Sequence, residues 1–226
     1  MECQRSGAPE RTATWGRSYA DVVDPWWALV IPAYLLGSFP TALLVGRRQG
    51  RDPTTEGSGN PGASNALRTM GRRAGALVLL GDIGKGIVAT GAGWALGGRS
   101  VGVGCGLAAV LGHVAPATRR FRGGKGVATG AGMALVLLPL PALALGLVWA
   151  AVVKLTGAAA AGSLAVAIGL PAAAVLVGRP AGEVAAFMAC SALVVLRHRT
   201  NLDRMRRGEE AALRAPTEDE HTEPIG

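Results

Sequence analysis

Of 226 residues half are hydrophobic, 4% are aromatic and mean hydropathy is +0.33, which excludes a disordered or collagen-like chain and leaves too few polar positions for an ordinary soluble domain. Net charge is +8, but the basic residues fall between apolar runs instead of gathering on one face, so nucleic-acid binding is excluded too. The 34 Gly and 41 Ala residues suit helices in a bilayer, where small residues let backbones approach closely.

Residues 1–25, with Arg5, Arg11, Arg17, Asp21 and Asp24, read as a polar extension. The apolar run that follows is too late and too long for a signal peptide. That run, 26–46, carries no charge and predicts a full span, with Trp26 and Trp27 at the membrane interface. The next, 74–97, is interrupted by Asp82 and Lys85, three residues apart and so on one helix face. A third covers 100–118, with His113 near its end. Residues 126–153 are apolar throughout but contain Pro139 and Pro141, so two helices meeting near 139 are expected. Runs at 158–177 and 181–196 complete the set. The fold class is therefore an all-α polytopic membrane protein of about seven transmembrane helices. A membrane domain occupies 26–208 and an acidic polar tail 209–226.

Charge sets the orientation. With the N-terminus outside, inward segments carry 17 Lys and Arg residues and outward segments 5. The positive-inside rule then places the C-terminus in the cytosol. Cys3, Cys105 and Cys190 are odd in number, far apart and without metal-ligand spacing, so no metal site is expected.

The motif-like segments all fall on the inner face. Residues 56–65 contain Gly57, Gly59 and Gly62, whose backbone can present successive N–H groups to an anion. Ser58, Asn60, Ser64 and Asn65 add polar groups, and Arg68 adds a planar fork for phosphate. Alone, the segment is equally a solvated turn. Residues 119–129 place Lys125 between Gly123, Gly124 and Gly126 at a helix start. The spacing is not that of a P-loop, but the position favours anions. A positive-inside anchor accounts for Arg119 and Arg120 and leaves the glycines unexplained. The third segment, 197–201, carries His198 and Asn201 at the membrane boundary, and His198 with Asp203 forms a loose His-x4-Asp pattern. Asp82 and Lys85 are either a mutually neutralising pair or part of the site.

Taken in order, six stretches resemble the bacterial integral-membrane glycerol-3-phosphate acyltransferases that use acyl phosphate, the PlsY type. They are GSFP at 37–40, GSGNPGASN at 57–65, DIGKG at 82–86, GHVAP at 112–116, FRGGKGVAT at 121–129 and RHRTN at 197–201. The resemblance covers about 28–208. It implies a multi-pass protein of the bacterial cytoplasmic membrane with seven helices and a cytosolic site. The implied reaction joins an acyl chain from acyl phosphate to the sn-1 hydroxyl of glycerol 3-phosphate. Lysophosphatidate and phosphate leave, in the first step of phospholipid synthesis. The implied partners are glycerol 3-phosphate, acyl phosphate, the lipid bilayer and the enzyme that makes acyl phosphate. Neither a metal nor an organic cofactor is implied.

By motif position, Ser58, Arg68 and Lys125 hold the phosphate of glycerol 3-phosphate, and His198 and Asn201 contact its glycerol part. Gly59, Asn60 and Gly62 belong to the stretch that holds acyl phosphate, and Asn65, Gly123 and Gly124 complete the binding set. Asp82, Lys85, His113 and Ser163 are further candidates. No protein nucleophile is implied; substrate phosphate takes the hydroxyl proton. One departure is Ala160, where many members carry a serine, with Ser163 the nearest hydroxyl. Two rivals stand beside this expectation: a thioester-dependent acyltransferase using His198 and Asp203 as a dyad, and a small transporter with Asp82 and Lys85 on its pathway.

Overall fold

The computed structural model describes residues 27–214. The expected extension 1–25, Trp26 and residues 215–226 of the acidic tail lie outside these residues. Every regular element among them is helical, and no strand occurs.

The first apolar run forms two helices, α1 (Trp27–Gly37) and α2 (Thr41–Arg47), instead of one. Pro40 has no N–H to give and turns the residue before it away from helix. Together they make an apolar unit, Ala28–Arg47, long enough to cross a membrane. The loop that follows leads into α3 (Ala63–Val114), whose 52 residues would extend about 78 Å if straight. That is more than twice the hydrocarbon thickness of about 30 Å. Two glycines interrupt it, Gly71 at φ 86° and Gly98 at φ 81°. At Gly98 the chain folds back: a Cβ on Gly93 would lie 2.7 Å from Cys105 Sγ, and one on Gly102 would lie 2.9 Å from the Thr90 carbonyl oxygen. The two arms match the expected runs at 74–97 and 100–118. Gly71 sets the short piece carrying Asn65 and Arg68 apart from the first arm.

The proline-based break falls at Leu138, between α4 (Val127–Leu137) and α5 (Pro139–Thr156), with Pro139 opening the new helix. With 11 residues, α4 is about 16 Å long, too short to cross unaided. Helix α6 is Ala159–Leu176, reached through Gly157 at φ 71°. Helices α7 (Ala181–Arg197) and α8 (Arg199–Arg206) meet at 54°. The charge-rich segment after the last apolar run had not suggested α8. By length and composition four helical segments among the described residues can cross a membrane, or five if α7 and α8 form one broken span. That number takes the folded α3 once.

Helix α3 is the hub, and glycine is the reason it can be. A Cβ on Gly37 or Gly112 would land 2.1 Å from a backbone oxygen across the α1–α3 contact. On Gly86 or Gly132 it would land 2.2 Å from a backbone oxygen across the α3–α4 contact. These helices meet backbone to backbone, as small residues permit in a bilayer. Met133, Phe187 and Leu170 fill the junction of α4, α7 and α6.

Gly112→Ala should therefore push α1 off α3. Overpacking of this kind costs about 1–3 kcal/mol, seen as a lower Tm in detergent. Gly146→Ala in α5, where nothing lies within 4 Å, is the control and should leave Tm unchanged or slightly raised. Equal Tm values for the two variants would refute backbone-to-backbone packing at Gly112.

Candidate active site

Three loops converge where α3 and α7 end and α4 begins. The first, between α2 and α3, is organised by Asn65, only 1% exposed. Its Nδ2 donates to the carbonyls of Pro53 (2.9 Å) and Glu56 (3.0 Å). Its Oδ1 accepts from the Ser58 backbone N–H (2.9 Å) and the Ser58 hydroxyl (3.1 Å). Asn65 thus spends its amide on shaping the loop. Gly57 at φ 57° cannot carry a side chain, since a Cβ would meet Asn65 Oδ1 at 2.5 Å. Outside this core, Arg51 pairs with Glu56 at 2.7 Å and donates to the Thr69 carbonyl.

The second loop leads from α3 to α4. Gly123 and Gly124 donate their N–H groups to the carbonyls of Val114 (3.1 Å) and His113 (3.0 Å). A Cβ on either would sit 2.0 Å from His113, at its carbonyl oxygen or its Nε2. From the other side, Arg197 donates to the carbonyls of Gly123 (2.9 Å) and Gly124 (3.3 Å). The glycines that a simple charge anchor left unexplained are therefore a spacer clamped between α3 and α7. Lys125 projects from it, and its Nζ donates to Asn201 Oδ1 at 2.5 Å. Burial pushes the Lys125 ammonium down to about 8; Glu210 raises it, while Arg204, Arg68 and Arg197 lower it further.

The third segment is the α7–α8 corner. His198, 2% exposed, has Nδ1 2.7 Å from the Val194 carbonyl oxygen. A carbonyl only accepts, so Nδ1 carries the proton and neutral His198 keeps Nε2 as an acceptor. Asn201, also 2% exposed, donates Nδ2 to Glu210 Oε1 at 2.6 Å. Glu210 Oε2 accepts from Arg204 Nε at 2.9 Å. Asp203 is on the other side of the account: 56% of its side chain is exposed and it pairs with Arg206 at 3.6 Å. With Nδ1 already bonded to Val194 and Asp203 facing water, the His-x4-Asp dyad has no geometry to work through.

Asp82, Lys85 and His113 form a buried triad. Lys85 Nζ lies 2.8 Å from Asp82 Oδ1 and 2.7 Å from His113 Nδ1. An ammonium only donates, so His113 Nδ1 is the acceptor. The three groups satisfy one another, as a structural pair would, and this removes the main ground for a transport pathway.

One cavity of about 500 Å³ joins these parts. Ser58, Asn60, Gly62, Asn65 and Arg68 border its polar end, together with Lys125, His198 and Asn201. Its other end is an apolar channel between α4, α5 and α6, walled by Leu135, Leu143, Leu147 and Leu170. Asp82 and His113 lie in its wall and also border a space of about 20 Å³ that Lys85 and Gly124 share. Gly59 and Gly123 border neither. Ser163 and Ala160 both line the large cavity. The Ser163 hydroxyl donates to the Ala159 carbonyl at 2.8 Å and accepts from Trp149 Nε1 at 3.3 Å. Among the described residues no group of three His, Cys, Asp or Glu side chains is placed to hold a metal ion. Sequence reasoning missed Glu210, because an acid among cations is not a mark of an anion site. It also missed the clamping role of Arg197.

A cationic, hydrogen-bonding end opening into an apolar channel is the form a phosphate-bearing lipid precursor requires. The family model for glycerol-3-phosphate acyltransferase matches residues 27–208. The chain belongs to that family. It is 41% identical over 187 residues to the glycerol-3-phosphate acyltransferase of Syntrophomonas wolfei, covering 82% of this chain and 96% of that one. Against the Pseudomonas paraeruginosa enzyme it is 43% identical over 192 residues, covering 81% and 97%. Among solved structures it resembles PlsY, an integral membrane glycerol 3-phosphate acyltransferase, in its glycerol 3-phosphate form. There the TM-score is 0.80 with 34% identity over 83% of this chain and 94% of that one. The lysophosphatidic acid form of PlsY gives a TM-score of 0.78. The resemblance drawn from the six motifs thus holds, and the chain is an integral membrane acyltransferase of phospholipid synthesis.

Asp203→Asn should change turnover less than about threefold. A true general-base partner would cost on the order of 100-fold or more. Steady-state kinetics on folded protein decide, and a loss on that larger scale would restore the dyad.

Proposed function

We propose that the enzyme takes its acyl chain from acyl phosphate and gives it to the sn-1 hydroxyl of glycerol 3-phosphate. The observation that carries this reading is the junction of Arg68, Lys125, Ser58, His198 and Asn201 with an apolar channel in one cavity of about 500 Å³. The glycerol 3-phosphate and lysophosphatidic acid forms of the PlsY structures support it. Arg68 and Lys125 hold the acceptor's phosphate with the Ser58 hydroxyl beside them. Neutral His198 offers Nε2 to a glycerol hydroxyl, and Asn201 fixes Lys125. The backbone of 57–62 faces the phosphate of the donor, and the leucine-walled channel takes its acyl chain.

In the reaction the sn-1 oxygen bonds to the acyl carbon and the bond from that carbon to the phosphate oxygen breaks. The hydroxyl proton passes to the departing phosphate, so products are lysophosphatidate and inorganic phosphate. The donor is a mixed anhydride and already activated. Holding two anions in line supplies a large part of the acceleration, with N–H donors supporting charge on the acyl oxygen. No protein nucleophile is required. Two of the hydroxyls that line the cavity, Ser58 and Ser163, are spent as donors to Asn65 and to the Ala159 carbonyl. An enzyme that makes acyl phosphate is the necessary supplier.

The site faces the cytosol in this reading. Seven crossings result if α1–α2 count as one, the two arms of α3 as two, and α4, short as it is, crosses within the bundle beside α5, α6 and α7. The count of 17 inward against 5 outward basic residues then puts the N-terminus outside and the C-terminus inside the bacterial cytoplasmic membrane. External labelling in intact cells should miss a cysteine introduced near residue 220; labelling there would reverse the orientation.

Purified protein should form labelled lysophosphatidate from labelled glycerol 3-phosphate with palmitoyl phosphate as sole donor, and none with palmitoyl-CoA. Lys125→Ala and Arg68→Ala should each raise the acceptor KM by about 10- to 150-fold, the scale of a lost charge-assisted hydrogen bond. Product from the thioester alone would overturn the donor assignment, and wild-type kinetics in either variant would overturn the anion site.

A further inference from the structure

Glu210 lies beyond the residues that the family model matches, 27–208, in a stretch whose composition reads only as an acidic tail. Its side chain is nevertheless 7% exposed and borders the cavity. The backbone explains how. Gly208 at φ 71° turns the chain after α8, and Glu209 donates its N–H to the Arg204 carbonyl at 2.8 Å. Four residues on, Leu213 donates to the Gly157 carbonyl at 2.8 Å, tying the segment to the α5–α6 corner. Glu210 is thus carried across the cationic end of the cavity by a strap fastened on both sides.

Both carboxylate oxygens are in use, Oε1 on Asn201 Nδ2 at 2.6 Å and Oε2 on Arg204 Nε at 2.9 Å. The other end of the same amide, Asn201 Oδ1, accepts a hydrogen bond from Lys125 Nζ at 2.5 Å. A carboxylate can only accept and an ammonium can only donate. Between these two partners the Asn201 amide has one allowed orientation, and that orientation sets where Lys125 points. We infer that Glu210 is a positioning residue of the acceptor site: through Asn201 it aims Lys125 at the acceptor's phosphate and balances the cations around it. The inference rests on reading this cation cluster as the site of glycerol 3-phosphate.

Charge gives the inference a readout beyond structure. The charged groups around Lys125 are Arg204 and Glu210 beyond α7, Arg197 at the end of α7 and Arg68 on α3, with His198 also within its influence. Burial and the three arginines disfavour the ammonium, while Glu210 favours it. Only protonated Lys125 attracts phosphate. Acceptor kcat/KM should therefore be full below about 8 and fall as pH rises through that value. Removing the carboxylate takes away a group that raises the Lys125 pKa, so the fall comes at lower pH.

The test is a pH series of acceptor kinetics on the purified full chain with acyl phosphate saturating. Glu210→Gln should raise KM for glycerol 3-phosphate about tenfold, with a smaller effect on kcat. It should also move the alkaline limb of kcat/KM down by about one pH unit. Glu210→Asp keeps the charge and shortens the arm, so KM should rise while the limb stays; it carries the test if the glutamine variant folds poorly. A lower KM in Glu210→Gln would make the carboxylate a competitor of phosphate and overturn the inference. So would an unmoved KM and limb per folded enzyme. If Lys125→Ala is severe and Glu210→Gln silent, the inference alone fails. If Lys125→Ala is silent too, the acceptor-site reading fails with it.

Discussion

Several cations have to be held at the mouth of an apolar cavity, and the rest of the molecule follows from that constraint. Lys125, Arg68, Arg197 and Arg204 repel one another where little water screens them. Three are anchored to acceptors the protein supplies. Arg197 spends its donors on the carbonyls of Gly123 and Gly124, Lys125 reaches Asn201, and Arg204 reaches Glu210. Most of those acceptors are neutral, so net positive charge remains. A phosphate that complements it meets fixed donors, with little reorganisation left for the moment of reaction.

Such fixity needs a scaffold whose loops start from defined points. Both sides of the Lys125 loop are clamped, by the end of α3 through His113 and Val114 and by α7 through Arg197. The end of α3 is held in turn by Tyr34 of α1, whose hydroxyl donates to the Ala115 carbonyl at 2.7 Å and accepts from the Ala117 N–H at 2.9 Å. Gly37, Gly112, Gly86 and Gly132 let α1 and α4 sit close enough on α3 for these reaches to work. The glycine content that makes the chain a poor soluble protein is thus what brings three loops to one point.

Much of this was legible in the sequence because the bilayer writes long-range structure into local composition. Apolar runs marked the helices, paired prolines marked the α4–α5 break, and glycine-flanked polar segments marked the site loops. What stayed hidden depends on contacts between distant segments. The fold-back at Gly98 and the kink at Gly71 look like any other glycines in a glycine-rich helix. Asn65 borders the cavity, but its part in shaping the loop stayed hidden, since nothing local marks an amide that bonds to carbonyls 9 and 12 residues away. Glu210 was obscured by its neighbours, in a run of charges where solvent exposure is the ordinary expectation. The break between α1 and α2 was signalled by Pro40, but an uncharged run of apolar residues outweighed it.

The last step concerns the proton. A hydroxyl attacking an acyl carbon must lose one, and the side chains nearest the cavity are poorly placed to take it. His198 Nδ1 is engaged with Val194, and burial disfavours an imidazolium there more than the nearby Glu210 carboxylate favours it. Lys125 and Arg197 stand nearby and oppose a second positive charge there. Glu210 has both oxygens engaged by Asn201 and Arg204, and Asp82 is taken up by Lys85 within its own triad. A site so furnished binds anions well and abstracts protons badly. That is a workable division of labour when a phosphate oxygen of the substrate, held a short distance from the hydroxyl, can accept the proton as the phosphate leaves.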